Sequence, residues 1–206
     1  MPIRRIPLFP LELVLLPGNI LPLHIFEPRY KLMIQHVVDR SEPFGVVLAI
    51  ENGIAAVGCT AIVARIHKTY EDGRMDIETL GEAAYRIAEL HESQPYLEAT
   101  VEMLADDLIP VPLAVTEELR TAFAQCHLLI HGSSPSPIDD VPGGSLAYRL
   151  AGELPLDLTV VQHLLELRSE FERQRNLIER LNQLLPMLAR TREIRSRAGS
   201  NGHGLN

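Results

Sequence analysis

The sequence is short of cysteine, lysine and long apolar runs, and each shortage removes a class of function. Two cysteines, Cys59 and Cys126, are too few for a disulfide framework and read as small core hydrophobes in a reducing compartment. The apolar stretches are interrupted by Pro10, Pro17 and Pro22 well before they reach the length of a membrane span. No basic segment followed by an apolar one and a small-residue cleavage site opens the chain, so it reads as cytoplasmic. Lys31 and Lys68 are the only lysines beside 17 arginines, and no Gly-Lys dipeptide occurs. A phosphate-binding loop needs a Gly-rich turn ending in Gly-Lys, so ATP-driven chemistry of that type is not expected. A Ser–Lys peptidase pair would have to use one of those two lysines, and neither is accompanied by a strained serine turn.

Charge is present but unevenly spread. The net charge is −8, yet residues 187–206 carry Arg190, Arg192, Arg195 and Arg197 against Glu193. That end is therefore +3 and the remaining body −11. An acidic body is a poor partner for a phosphate backbone, so any nucleic-acid contact is expected to be weak and confined to the tail. His127 and His131 sit four residues apart on one predicted helix face, but a third ligand is not evident. No metal site is expected from them, and no cofactor is expected. Glu78, Glu82 and Glu89, like Asp106-Asp107, read as solvated faces. No catalytic residue is assigned.

What is there in quantity is apolar surface: 46% of the residues are hydrophobic, enough for a substantial core in a chain of 206. The first half is mainly β in pattern, with strands expected at 3–8, 12–16, 20–26, 44–50, 54–66, 74–89 and 96–103. A helix is expected at 28–39, where Glu27-Pro28 precedes Tyr30, Met33, Ile34, Val37 and Val38. Glu71-Asp72-Gly73 reads as a hairpin turn. Ile109-Pro110-Val111-Pro112 marks a switch to helical period, with helices expected at 113–130, 144–151, 157–167 and from about 168 onward. The fold class is thus α+β: a β-rich closed sheet with one helix (1–108), then a helical bundle (109–197) and a disordered tail (198–206). Residues 131–142 read as a mobile loop. Pro186 is expected to kink or end the last helix. The apolar seam Leu164, Leu167, Phe171, Gln174, Ile178, Leu181, Leu185 and Leu188 reads as packing on the preceding helices, with a homodimer through the C-terminal helix as the alternative.

One stretch is more specific than its period. Leu21-Pro22-Leu23-His24-Ile25-Phe26-Glu27-Pro28-Arg29-Tyr30, followed by Leu32-Met33 and by Phe44-Gly45-Val46-Val47-Leu48, resembles the N-terminal substrate-binding domain of Lon proteases. The likeness is to the stand-alone and RING-linked versions of that domain. It continues through Gly58-Cys59, Asp72-Gly73-Arg74, Thr79-Leu80-Gly81 and Tyr85-Arg86-Ile87, and covers roughly residues 5–188. The resemblance implies a PUA-like pseudo-barrel for the β-rich part. It also implies a non-enzymatic module that binds unfolded or damaged polypeptide, as adaptor to a separate protease or chaperone. RNA binding by a PUA-like protein and a small-molecule-binding regulator are the alternatives. The proline-punctuated run from Leu8 to Phe26 has more hydrophobes than one closed sheet face buries. Leu11, Leu13, Leu16, Ile20 and Leu23, flanked by Glu27, Arg29, Tyr30 and Lys31, are therefore the candidate peptide-binding residues.

Overall fold

The computed structural model describes residues 3–136 and 144–200. Seven strands and one helix come first: β1 (Ile3–Leu11), β2 (Ile20–Ile25), α1 (Pro28–Arg40), β3 (Phe44–Ile50), β4 (Gly53–Ile54), β5 (Val57–Thr69), β6 (Met75–His91) and β7 (Glu98–Met103). Four helices follow: α2 (Leu113–His131), α3 (Leu146–Gly152), α4 (Leu158–Glu166) and α5 (Glu170–Ser200). The sheet runs β1-β7-β6-β5-β3-β4, and β1 also pairs with β3, which closes it. Closure depends on β1 serving two neighbours. Ile3–Pro7 pair antiparallel with β7, and Leu8–Leu11 pair parallel with Gly45–Leu48 of β3. Closing the sheet removes most of the free edge that would otherwise invite aggregation.

The long strand β6 does the same for the other side. Its first part pairs with β2 through Met75–Leu80, and its second part with β7 through Tyr85–His91. The β5–β6 turn forms where Glu71-Asp72-Gly73 predicts it: Gly73 takes φ +78°, and Tyr70 N–H donates to the Arg74 carbonyl at 2.9 Å. Tyr85 fills the barrel between Gly45 and Gly58, where an added Cβ would come within 2.5 and 2.4 Å of its hydroxyl. α1 starts on Pro28, buries Tyr30, Met33, Ile34 and Val37 at helical spacing, and stops at left-handed Ser41.

Three sequence expectations are corrected. Residues 12–16 are not a strand but an irregular link. The run between Pro10 and Pro17 gains more by dropping Leu15 and Leu16 into the core than by extending a ladder. Pro186 does not end α5, which continues to Ser200. Its ring lies on an exposed face, and the helix sustains the loss of one hydrogen bond. Of the tail expected at 198–206, residues 198–200 are helical, while 201–206 lie outside the described residues. In the loop expected at 131–142, His131 closes α2, left-handed Gly132 caps it, and residues 137–143 lie outside the described part.

The helices pack on the sheet through polar as well as apolar contacts. One apolar cluster runs from Phe9, Tyr30 and Phe44 through Leu15 and Leu16 to Phe123, Leu164, Leu177 and Leu181. Gln162 donates to the Val57 carbonyl at 3.1 Å, and Asp107 N–H to the Arg168 carbonyl at 2.8 Å. Arg173, 1% exposed, binds Asp106, Glu170, the Tyr148 hydroxyl and the Leu167 carbonyl. Gln174, Ile178 and Leu181 of the seam are buried, whereas Phe171 lies at the surface. Gln174, the one polar member expected in the seam, accepts from the Thr116 hydroxyl and donates to Glu170.

Candidate functional site

The period of two along β2 decides which side chains face solvent. Ile20, Pro22 and His24 are exposed, Leu21 and Leu23 are half-buried, and Ile25 is buried. Phe26 continues the outward row. Directly opposed residues of an antiparallel pair share a face. The outward row therefore lies beside Leu80, Glu78 and Asp76 of β6, and beyond them Ile62, Arg65 and Lys68 of β5. Among the described residues β2 pairs only with β6, which is the edge position where a proline such as Pro22 is tolerated.

A polar cluster fixes the far end of this row. His24 Nδ1 lies 2.6 Å from Asp76 Oδ1, and the Tyr70 hydroxyl donates to Asp76 Oδ2 at 2.8 Å. The bonds from His24 and then Tyr70 hold the Asp76 carboxyl below its ordinary range. Phe26 stacks on the His24 ring at 6.1 Å, and Lys68 and Arg74 flank the Tyr70 ring at 4.2 and 4.9 Å. The first turn of α1 is tied to the same hairpin, because Lys31 Nζ donates to the Asp72 carbonyl at 2.8 Å. Asp72 is held below its usual range by the Arg74 backbone N–H first and the Arg74 guanidinium second. Glu27 pairs with Arg29 at 2.9 Å, and Arg29 lies over the Tyr30 ring. The surface combines the apolar Ile20, Pro22 and Phe26 with charges of both signs beside them.

Comparison with known proteins identifies the family of the chain. The family model of the ATP-dependent protease La (LON) substrate-binding domain matches residues 5–186. The chain belongs to that family. Protein cereblon of Xenopus tropicalis is 26% identical over 139 residues, 64% of this chain and 30% of that protein. Lon protease of Parabacteroides distasonis is 31% identical over 109 residues, 49% of this chain and 13% of that protein. The chain therefore spans well under half the length of these curated relatives. Two solved structures share the fold with a TM-score of 0.69 each. The Lon N-terminal domain protein from Xanthomonas campestris is 22% identical, covering 85% of this chain and 98% of its own. The N-terminal domain of the Mycobacterium avium complex Lon protease is 18% identical, covering 87% and 98%.

Within this Lon substrate-binding domain the nine residues singled out from sequence separate into layers. Ile20 is 62% exposed and Arg29 is exposed, so both lie on the surface. Leu11, Leu13 and Leu23 are half-buried against the core, and Glu27 and Lys31 are half-buried at the rim. Leu16 and Tyr30 are core residues: Leu16 is 1% exposed, and the Tyr30 ring packs 4.1 Å from Phe9. Burial raises the Tyr30 phenol above its usual range. Pro22, His24 and Phe26 were missed, although parity along 20–26 carries the signal. If Ile20 faces out, so do residues 22, 24 and 26, and Leu23 cannot.

A second feature was not legible in sequence. A cavity of about 860 Å³ opens between the sheet and the helices, bounded by Gly18, Gly81, Leu104, Ser145, Tyr148 and Arg168. Among the described residues no group of three or more His, Cys, Asp or Glu side chains could hold a metal. The His127 and His131 rings lie 4.4 Å apart, tilted by 44°, with His127 Nδ1 3.0 Å from the Ser133 carbonyl oxygen. No helix among the described residues is long and apolar enough to cross a membrane.

Proposed function

We propose that this chain is a non-enzymatic recognition module that binds unfolded or damaged polypeptide segments in the cytoplasm and delivers them to a separate protease or chaperone. The observation that carries the reading is the outward row Ile20, Pro22, His24 and Phe26 on an edge strand, in a member of the Lon substrate-binding family. Apolar anchors of this kind supply affinity by leaving water, and the mixed-charge margin adds hydrogen bonds without strong steering. In this reading Leu11, Leu13 and Leu23 support the row from its inner side, Leu16 and Tyr30 hold it in place from the core, and Glu27, Arg29 and Lys31 form its rim.

The test is binding of a fluorescent, permanently unfolded protein to the intact chain and to Ile20→Asp and Phe26→Ala. Both side chains are exposed, so both variants should keep the parent's circular dichroism. The expected result is a loss of about tenfold in affinity for each, in the range of interface hot spots. Salt should change the parent's affinity only weakly. Equal binding by the folded variants places recognition elsewhere. In the same preparations no ATP hydrolysis and no casein cleavage are expected.

The second reading, a small-molecule-regulated binder, is favoured by the 860 Å³ cavity, whose size suits a ligand. A ligand-induced rise in thermal midpoint that Tyr148→Phe or Arg168→Gln abolishes would support it.

A further inference from the structure

The end of the helical bundle farthest along α5 carries a different kind of site. A cavity of about 270 Å³ lies between the second half of α2, the Leu154-Pro155-Leu156 link and the far half of α5. Its wall is almost wholly aliphatic. Leu129 and Ile130 come from α2, and Leu181, Leu184 and Leu188 from α5. The α5 residues recur at intervals of three and four, which puts them on one helix face. Leu181 is fully buried, Leu188 half-buried, so the face runs from closed core to an open mouth. Thr191 and Arg192 stand at that mouth, and the lining contains no carboxylate. Arg192 donates to the Leu128 carbonyl at 3.2 Å, which holds its guanidinium against the end of α2. A guanidinium has five N–H donors, and one bond to a carbonyl does not neutralise its charge.

We propose that this cavity binds an aliphatic carboxylate of medium length, with the chain among the leucines and the carboxylate on Arg192. Three features support that ligand over others. An aliphatic wall, whose Cys126 thiol already donates to the Leu181 carbonyl, favours a flexible hydrocarbon over a heterocycle, whose polar atoms would be buried unpaired. At roughly 30 Å³ for each water-sized group, the volume admits a chain of about eight to ten carbons. The single charge at the entrance is positive, and a planar carboxylate matches a guanidinium in shape as well as sign. The site is separate from the β2 row, and its occupancy does not require polypeptide recognition to be correct.

The experiment titrates the intact chain with sodium decanoate, decanol and decyltrimethylammonium, followed by amide shifts of the ¹⁵N-labelled protein. Decanoate is expected to saturate and to move the amides of Leu129, Ile130, Leu188 and Thr191, leaving Ile20 and Phe26 unmoved. Decanol should bind the same amides roughly fivefold more weakly, the upper range for an exposed ion pair, and the ammonium more weakly still. Arg192→Gln, at an exposed position, should erase the preference for decanoate without changing decanol. Leu184→Trp should block all three ligands by filling the cavity. Equal affinity for decanoate and decanol, an unaltered preference in Arg192→Gln, or shifts centred on the β2 row would each overturn the assignment. Absence of saturable binding would overturn it as well.

Discussion

At the scale of single residues, two buried groups set how the protein responds to mutation and to pH. Arg173 is charged, almost wholly buried and bonded to Asp106, Glu170, Tyr148 and Leu167. Its bonds join a residue that follows β7 to α3 and α5, so it acts as a tie between the two halves. Arg173→Ala takes the buried guanidinium from Asp106 and Glu170, leaving Asp106 only a longer contact with Arg168 and Glu170 its bonds from Ser145, Ala147 and Gln174, and opens space in the core. We expect a loss of about 3 kcal/mol, the lower end for breaking a buried ion pair, because Asp106 is partly solvated. Tyr148→Phe removes only the hydroxyl that accepts from Arg173 and should cost about 1 kcal/mol. Urea denaturation of the two variants gives the ordering, and a Tyr148→Phe variant as damaged as Arg173→Ala would place the tie at the ring instead.

Cys59 gives a pH prediction with a definite sign. Burial pushes its thiol from 9.0 up to about 12. Between those values the folded chain keeps the proton and the unfolded chain loses it, so stability falls as pH rises above 9. The slope from this one group approaches 1.4 kcal/mol per pH unit. Tyr85, also raised by burial, adds to the same trend at higher pH. Denaturation midpoints between pH 8.5 and 10.5 should fall less steeply for Cys59→Ala than for the parent. The native thiol should also resist alkylation at neutral pH, since only the thiolate reacts.

At the scale of elements, what sequence disclosed depended on whether a local rule had competition. α1 was legible because Pro28 and an apolar set at helical spacing agree, and the β5–β6 hairpin because Asp72-Gly73 supplies the turn. The 12–16 link was not, because apolar composition alone does not distinguish a strand from a loop whose leucines anchor in a core. The candidate site was half legible for a related reason. Hydrophobic excess drew attention to the 8–26 region, but the burial of Leu16 and Tyr30 and the exposure of His24 and Phe26 are set by tertiary packing and by the pairing of β2 with β6. The large cavity came from no local pattern, since its walls are drawn from separate elements. Gly58 illustrates a constraint of the same tertiary origin: the Tyr85 hydroxyl and the Val46 carbonyl occupy the space of a Cβ. Gly58→Ala should destabilise by about 2 kcal/mol or more through overpacking. The companion Gly58→Ala/Tyr85→Phe should recover part of that loss, which guanidinium denaturation would measure. No recovery would place the obstacle at the Tyr85 ring and the Val46 carbonyl, both of which remain.

At the scale of the whole molecule, the question is how far the closed sheet and the helices are separable. Two clusters bear on it. One, built on Ile6, Leu8, Val47, Tyr85, Ala99 and Val101, belongs to the sheet alone. The other is shared, and runs from Phe9 and Phe44 to Leu177 and Leu181. Removing the helices therefore leaves the inner barrel filled but uncovers Leu15, Leu16 and Val57, and takes Arg173 away from Asp106. A chain ending at residue 108 should still close its sheet, because strand pairing and the first cluster are internal to it. It should nevertheless lose stability in proportion to the apolar area exposed, at about 25 cal/mol per Å², and should associate through the uncovered leucines. The expected observations are dispersed amide resonances, a far-ultraviolet spectrum dominated by strand, and a lower urea midpoint than the intact chain. The intact chain should unfold in one transition seen alike by circular dichroism and by tyrosine fluorescence, since the shared cluster couples the halves. Collapsed amide dispersion in the 1–108 chain would mean that the shared cluster, rather than closure of the sheet, holds the barrel together.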